Sequence, residues 1–200
     1  MFAQKKLEYR PVSVKELLIE MKDTAMLMVD LAYATLIFKD KTLADEVVRL
    51  EQEIDKLIQH LQINIMLSAR DVEDAQALQS LLQVALTTDR ISNAAGDIVY
   101  PVLRGSEPHP ILLEGIKKLD EPIVAVQVAP KSVLARKHMN RKLLRTKLGV
   151  DVLAVRRADK WMIAPEEHIP FHVNDTLIAR GGTTGVEKLK EISAAGGTPT

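Results

Sequence analysis

Two acidic pairs stand at an interval that can do chemistry. Glu51 and Asp55 are four residues apart, Asp89 and Asn93 repeat the interval further on, and Asp97 follows one turn later. On an α-helix, residues i and i+4 share a face. Two such pairs on facing helices would therefore offer several oxygen ligands to a hard divalent cation or a di-metal centre. Asp23 and Asp30, seven apart in an apolar stretch, form a similar pair. A carboxylate near a helical interior needs a cation, a proton or a bound ion to offset its desolvation. Arg49, Lys56 and Arg90 are close enough in sequence to supply ordinary ion pairs, so a solvated face fits the same spacing. The chain has no cysteine, which excludes disulfides, thiolate metal sites and cysteine nucleophiles. His138, His168 and His172 form neither a ligand spacing nor a triad with any acid.

The elements that must carry these residues fall into two halves with different periods. In the first, Ser13 and Glu16 make a capping box before a run that stays apolar to Phe38. Asp40 or Thr42 caps a second helix to about Leu67, along which Val47, Val48, Ile54, Ile58 and Leu61 keep an apolar stripe. Asp71 caps a third helix to about Leu103, which Pro101 should kink or end. Three long helices joined by short connections must run up, down and up. The first half is expected to be an antiparallel three-helix bundle.

Arg104-Gly105-Ser106-Glu107-Pro108-His109-Pro110 has the composition of a boundary. His109 reads as a linker histidine. Ile111 to Leu119 is a short amphipathic helix, after which β-branched and turn residues take over. Strands are expected over Ile123–Val128, Val150–Val155, Trp161–Ile163 and Thr176–Ala179, with Asp159-Lys160 turning a hairpin. Ser132 caps a turn, and a basic helix over Met139–Leu148 stops at Gly149. Thr183 or Thr184 opens a closing helix through Val186, Leu189 and Ile192, and the tail SAAGGTPT frays. Trp161 reads as a core or interface anchor.

Charge and motifs narrow the function classes. Twenty-seven basic residues balance twenty-seven acidic ones, so no net field draws the chain to nucleic acid or anionic lipid. The basic run from Arg136 through Lys147 lacks interleaved aromatics and reads as a solvated or anion-binding edge, and no nucleic-acid partner is expected. Ala25–Phe38, interrupted by Asp30, is too short to span a bilayer, and the N-terminus lacks a signal peptide's apolar core. A cytoplasmic protein without direct membrane insertion is expected. No GxGxxG, GxxxxGK[ST], HExxH or GxSxG motif is present. An enzyme is not expected.

Two resemblances sharpen this. DTAMLMVDLAYATLIFKDKTLADEVVRLEQEID followed by TTDRISNAAGDIV resembles one three-helix repeat of the PhoU family, marked by an acid, three residues and Asp on successive helices. Glu51 to Asp55 matches that mark, and Asp89 to Asn93 resembles its second copy with Asp and Asn in place of Glu and Asp. The family implies metal-binding helical proteins that regulate phosphate uptake, normally with two such repeats. The series Ser132-Val133-Leu134, Lys142-Leu143-Leu144-Arg145, Gly149 to Arg157, Pro165 and Asp175 to Gly181 resembles the TrkA C-terminal, or RCK C-terminal, domain. Asn174 replaces the usual glycine, and tolerates left-handed turn geometry nearly as well.

The second resemblance implies a small dimerising ligand-binding module of cytosolic subunits that gate potassium and other cation transporters. Some members take a cyclic dinucleotide at the dimer interface, which maps the groove to Leu144, Arg145, Leu148, Asp151 and Pro165. Arg145 is the anion-pairing candidate, whereas Asp151 places negative charge where a dianion should lie. The expected architecture is α+β: a bundle over 1–105, a linker and short helix over 106–121, and a small α/β domain over 122–200 with a four-stranded sheet and two helices. The expected function is a homodimeric regulatory subunit or sensor of potassium, cation or phosphate transport. It would bind a nucleotide or other small anion, with a membrane transporter as peripheral partner. The alternatives are a di-metal carboxylate protein using Glu51, Asp55, Asp89, Asn93 and Asp97, and a structural dimerisation adaptor.

Overall fold

The computed structural model describes residues 12–118, 120–136, 139–158 and 160–194. His138, Leu119, Asp159 and most of the SAAGGTPT tail lie outside them. Helix α1 spans Val14–Phe38, α2 Lys41–Ser68 and α3 Val72–Leu103. Their starts are set by the caps legible in the sequence. Ser13 Oγ accepts from the Glu16 amide at 3.2 Å while Glu16 Oε2 accepts from the Ser13 amide at 3.2 Å. Asp40 Oδ1 accepts from the Thr42 and Leu43 amides at 2.9 and 3.1 Å, and Asp71 Oδ1 from the Asp74 amide at 2.8 Å. Between α1 and α2, Lys39 takes the left-handed turn at φ 52°. Pro101 is accommodated inside α3, which ends two residues later at Leu103.

The chain separates into two compact units. One comprises the described residues up to Val29 with Val48–Gly96; the other joins Asp30–Val47 to Asp97 and the residues after it. In the first, Leu17, Met21, Ala25 and Met28 form the buried stripe of α1, and Leu50, Ile54, Leu57, Ile58, Leu61 and Ile65 that of α2. Both keep the i, i+3, i+4 spacing that buries one helical face. The α3 stripe is built from small groups, with Ala85, Ser92 and Ala95 buried. Close approach follows from that choice: a Cβ added to Gly96 would lie 2.5 Å from Glu51 Oε2.

The second unit contains α4, Pro110–Lys117, capped by His109, whose Nδ1 accepts from the Ile111 amide at 3.3 Å. Leu36, Val102 and Ile116 make a small cluster there. Strand β1 (Ile123–Gln127), helices α5 (Val133–Arg136) and α6 (Arg141–Leu148), strands β2 (Val150–Arg157), β3 (Lys160–Ile163) and β4 (Thr176–Gly181), and helix α7 (Thr183–Ser193) complete it. The sheet is antiparallel in the order β1-β4-β2-β3, with a register shift between Val152 and Ala154. The α+β architecture is the expected one, with α5 as an added short turn of helix. Strand β2 runs two residues beyond its expected end, because Arg156 and Arg157 still pair with Trp161 and Lys160 of β3.

Alternation sorts the sheet into two faces. Val126, Val150, Val152, Val155, Leu177 and Ala179 join Leu134, Leu144, Val186 and Leu189 of the helices in one core. The opposite face carries Ala125, Ala154, Arg156, Thr176, Ile178 and Arg180, as their cross-strand partnerships require. Two turns hold this geometry. Gly149 ends α6 in the left-handed conformation at φ 63°, and Asn174 takes φ 70° before β4, where the sequence tolerates it.

Candidate functional site

The five residues assigned to the groove converge only in part. Leu144 is fully buried in the sheet-helix core, and Leu148 packs against the same core. These two position α6 rather than face solvent. Arg145 is exposed and pairs with Glu167 across an exposed contact, an interaction worth little on a surface and easily exchanged for another anion. Asp151 and Pro165 are brought together by a residue that sequence reasoning left in a general basic run. Arg141 donates to Asp151 Oδ1 and Oδ2 at 3.0 and 3.1 Å and to the Pro165 carbonyl at 3.0 Å.

That fork changes the electrostatics around Asp151. A bidentate guanidinium-carboxylate pair neutralises Asp151 locally, so the charge expected to repel an anion is already compensated. Asn140 sets the position of Arg141 by capping α6, its Oδ1 accepting from the Leu143 amide at 3.0 Å. An N-cap followed at once by arginine is visible in the sequence. Its partners, ten and twenty-four residues away, are supplied by the strand register.

Asp151 also stands directly opposite Arg180 on β4. Arg180 Nη1 holds both carboxylate oxygens of Asp30 at 2.8 and 2.7 Å, and its Nε lies 3.2 Å from Glu121. Burial pushes the Asp30 carboxyl above the usual aspartate range, against the opposing pull of the Arg180 charge and hydrogen bond; Glu121 and Asp151 add smaller upward pushes. Arg141, Asp151, Arg180 and Asp30 therefore form an alternating line of charge from the start of α6 to the middle of α1. The carboxylate read beside Asp23 as part of a pair has this separate role. Asp23 pairs with Lys22 at 2.7 Å on an exposed surface.

A second built pair lies at the start of β4. Asp175, 1% exposed, receives Arg157 Nε and Nη2 at 3.0 and 2.8 Å and the His172 amide at 2.8 Å. Arg157 also donates to the Pro170 carbonyl at 2.9 Å. This is a strap that holds the loop before β4. The strap partner holds the Arg157 guanidinium above its ordinary range.

The metal candidates lie on α2 and α3. Glu51 is half-buried against Gly96, Asp55, Asn93 and Asp97 are exposed, and Asp89 Oδ2 accepts from Asn93 Nδ2 at 3.4 Å. Among the described residues no three His, Cys, Asp or Glu side chains are grouped so that they could hold a metal ion. Trp161 is an anchor, its Nε1 donating to Thr42 Oγ1 at 3.0 Å. No described helix is long and apolar enough to cross a membrane.

Residues 18–102 match the family model of the PhoU domain. Among solved structures, the chain is similar to the RCK C domain of the potassium transport protein KtrA in complex with cyclic diadenosine monophosphate. That match has 20% identity and a TM-score of 0.28, and covers 40% of this chain and 89% of that one. It is also similar to S. agalactiae BusR in complex with its busAB-promoter DNA, at 10% identity and a TM-score of 0.32, covering 87% of this chain and 96% of that one. No curated protein matches. The PhoU-like resemblance of the helical half agrees with that family match.

The expectation of no nucleic-acid partner is overturned here, because the BusR chain aligned over most of this one is bound to DNA. The physical reason is that a summed charge of zero averages over the surface. It leaves local patches uncounted, such as exposed Lys142, Arg145 and Lys147 on α6.

Proposed function

We propose that this chain, a PhoU-like helical domain followed by an RCK C-terminal-type domain, is a non-enzymatic regulatory protein. It binds a small anionic nucleotide at a groove formed around α6 and β2 of a homodimer. It acts in the cytoplasm on potassium or other cation transport, with a membrane transporter as partner. The observation that carries the reading is the Arg141 fork. By neutralising Asp151 and fixing the Pro165 carbonyl, it leaves Arg145 as the exposed cation of the groove, tied only to an exposed glutamate.

The same fork supplies a route for regulation. A ligand that draws on Arg141 or Asp151 alters the charge opposite Arg180, and Arg180 is the residue that grips Asp30 of α1. A ligand shifts a conformational equilibrium only by binding its states differently, and these two ion pairs, juxtaposed where Asp151 faces Arg180 across the strands, provide a differential contact.

Isothermal titration of the full chain with cyclic di-AMP, with light scattering for the oligomer, tests the proposal. A dimer is expected to bind, and Arg145→Gln to weaken binding about tenfold, the loss of roughly one charge-assisted hydrogen bond. A monomer that binds no nucleotide would remove the reading.

A further inference from the structure

A cavity of about 400 Å³ lies where the turn between α1 and α2 meets the second face of the sheet. It shares no residue with the groove around α6. We infer that it is a binding site for a small phosphorylated compound with one planar ring system, of the size of a mononucleotide. The floor is apolar and shallow, formed by Ile178 and by Ala125 opposite it on β1. A larger side chain at position 125 would intrude on that floor. One wall is Trp161, the single tryptophan of the chain.

The indole is fixed rather than free. Its Nε1 donates to Thr42 Oγ1 at 3.0 Å, and that hydroxyl donates to Asp40 Oδ1 at 2.6 Å. Asp40 Oδ2 in turn receives Arg156 Nη1 at 3.2 Å, and the Arg156 guanidinium lies 5.3 Å from the Trp161 ring centroid. Aromatic and guanidinium planes are thus preset, which lowers the ordering cost of binding a flat ring.

The rim is cationic. Lys39, Lys41 and Arg156 line the cavity with one carboxylate, Asp40, in a chain whose overall charge is zero. Arg156 offsets Asp40. Lys39 pairs with Glu107 at 2.8 Å, but both side chains are largely exposed, and such a pair yields readily to a better anion. Lys41 is exposed and has no carboxylate within ion-pair distance among the described residues. Lys39 is also held in the left-handed conformation, uncommon for a residue with a Cβ and a form of strain that gathers at ligand sites. A fixed aromatic wall, an apolar floor and two lysines with exchangeable or no partners suit a planar ring carrying a phosphate. The volume lies at the small end of ligand sites, roughly 300–1,000 Å³, which favours one nucleotide over two.

The single tryptophan makes the test direct. Adding AMP to the full chain is expected to change Trp161 emission and to release or absorb heat, saturating by roughly millimolar concentration. Adenosine and inorganic phosphate serve as arms lacking the phosphate and the ring, and both should bind at least about tenfold more weakly. Lys41→Gln, at an exposed position, should weaken AMP by a similar factor. Ala125→Leu should abolish binding while circular dichroism reports an intact fold. Arg145→Gln in the α6 groove should leave the AMP-dependent change in Trp161 emission unchanged, because that indole lines this cavity and not the groove, so that failure of the groove reading and failure of this one remain distinguishable. Absence of both signals with AMP, equal binding by Ala125→Leu, or phosphate binding as tightly as AMP would each overturn the site.

Discussion

At the scale of single residues, arginines decide the chemistry of the sheet domain. Arg157 grips Asp175, which is 1% exposed and also receives the His172 amide. Removing one partner from a buried, hydrogen-bonded pair leaves the other uncompensated. Asp175→Ala is therefore expected to cost about 3 kcal/mol, read as a lower urea midpoint with an unchanged slope; a cost below about 1 kcal/mol would mean that the strap is dispensable. Asp175 was legible as part of the turn series before the last strand, and Asn174 as a tolerable left-handed residue. Arg141 was not. Its role depends on which carboxylate and which carbonyl the register of β2 and the loop after β3 bring to it, and no local spacing encodes that.

At the scale of elements, helix ends were the most legible feature, since a cap is a local hydrogen bond between residues two or three apart. Ser13, Asp40, Asp71 and Gly149 all act where the sequence places them. Long-range pairing was illegible, as the link from α1 to β4 illustrates. Asp30 sits in an apolar helical stretch with no local cation facing it; its partner, Arg180, is 150 residues away. Because burial raises the Asp30 carboxyl above its unfolded value, the folded chain holds that proton more tightly than the unfolded one. The stability this group contributes is thus complete below the unfolded value, about pH 3.9, and is lost as pH rises through the raised folded value. Relative to Asp30→Asn, the native chain is expected to lose thermal stability as pH rises from about 3.5 to 7. Paired melting curves of the two proteins measure this. A gap that instead widens in favour of the native chain would mean that the attraction of Arg180 outweighs burial.

At the scale of the whole molecule, composition and compactness answer different questions. The Gly, Ser and Pro run near residue 105 marks where the period of the sequence changes from helix to strand. The compact unit that contains the sheet nonetheless draws in Asp30–Val47. A fragment of residues 106–200 would lose Asp30 from Arg180, Asp40 from Arg156 and Thr42 from Trp161. It is expected to exchange the backbone amides of β4 faster than the full chain does, by hydrogen-deuterium exchange, through lowered stability of the sheet. Equal protection would show that the sheet needs nothing from the first two helices. The PhoU-like character of the helical half was legible through its resemblance, while the cavity beside Trp161 was not, because its walls come from segments more than eighty residues apart.

Gly96 of α3 lies against the Glu51 side chain of α2. In most helices, replacing glycine by alanine measures backbone entropy and gains about 1 kcal/mol. Here the atoms nearest the new methyl all belong to the far end of the Glu51 side chain, with Oε2 at 2.5 Å and Cδ at 2.9 Å. The helix can keep its place while the carboxylate is made to swing aside. Gly96→Ala thus becomes a lever that relocates one negative charge inside the bundle without deleting it, a way to ask what that charge is for while the fold stays constant.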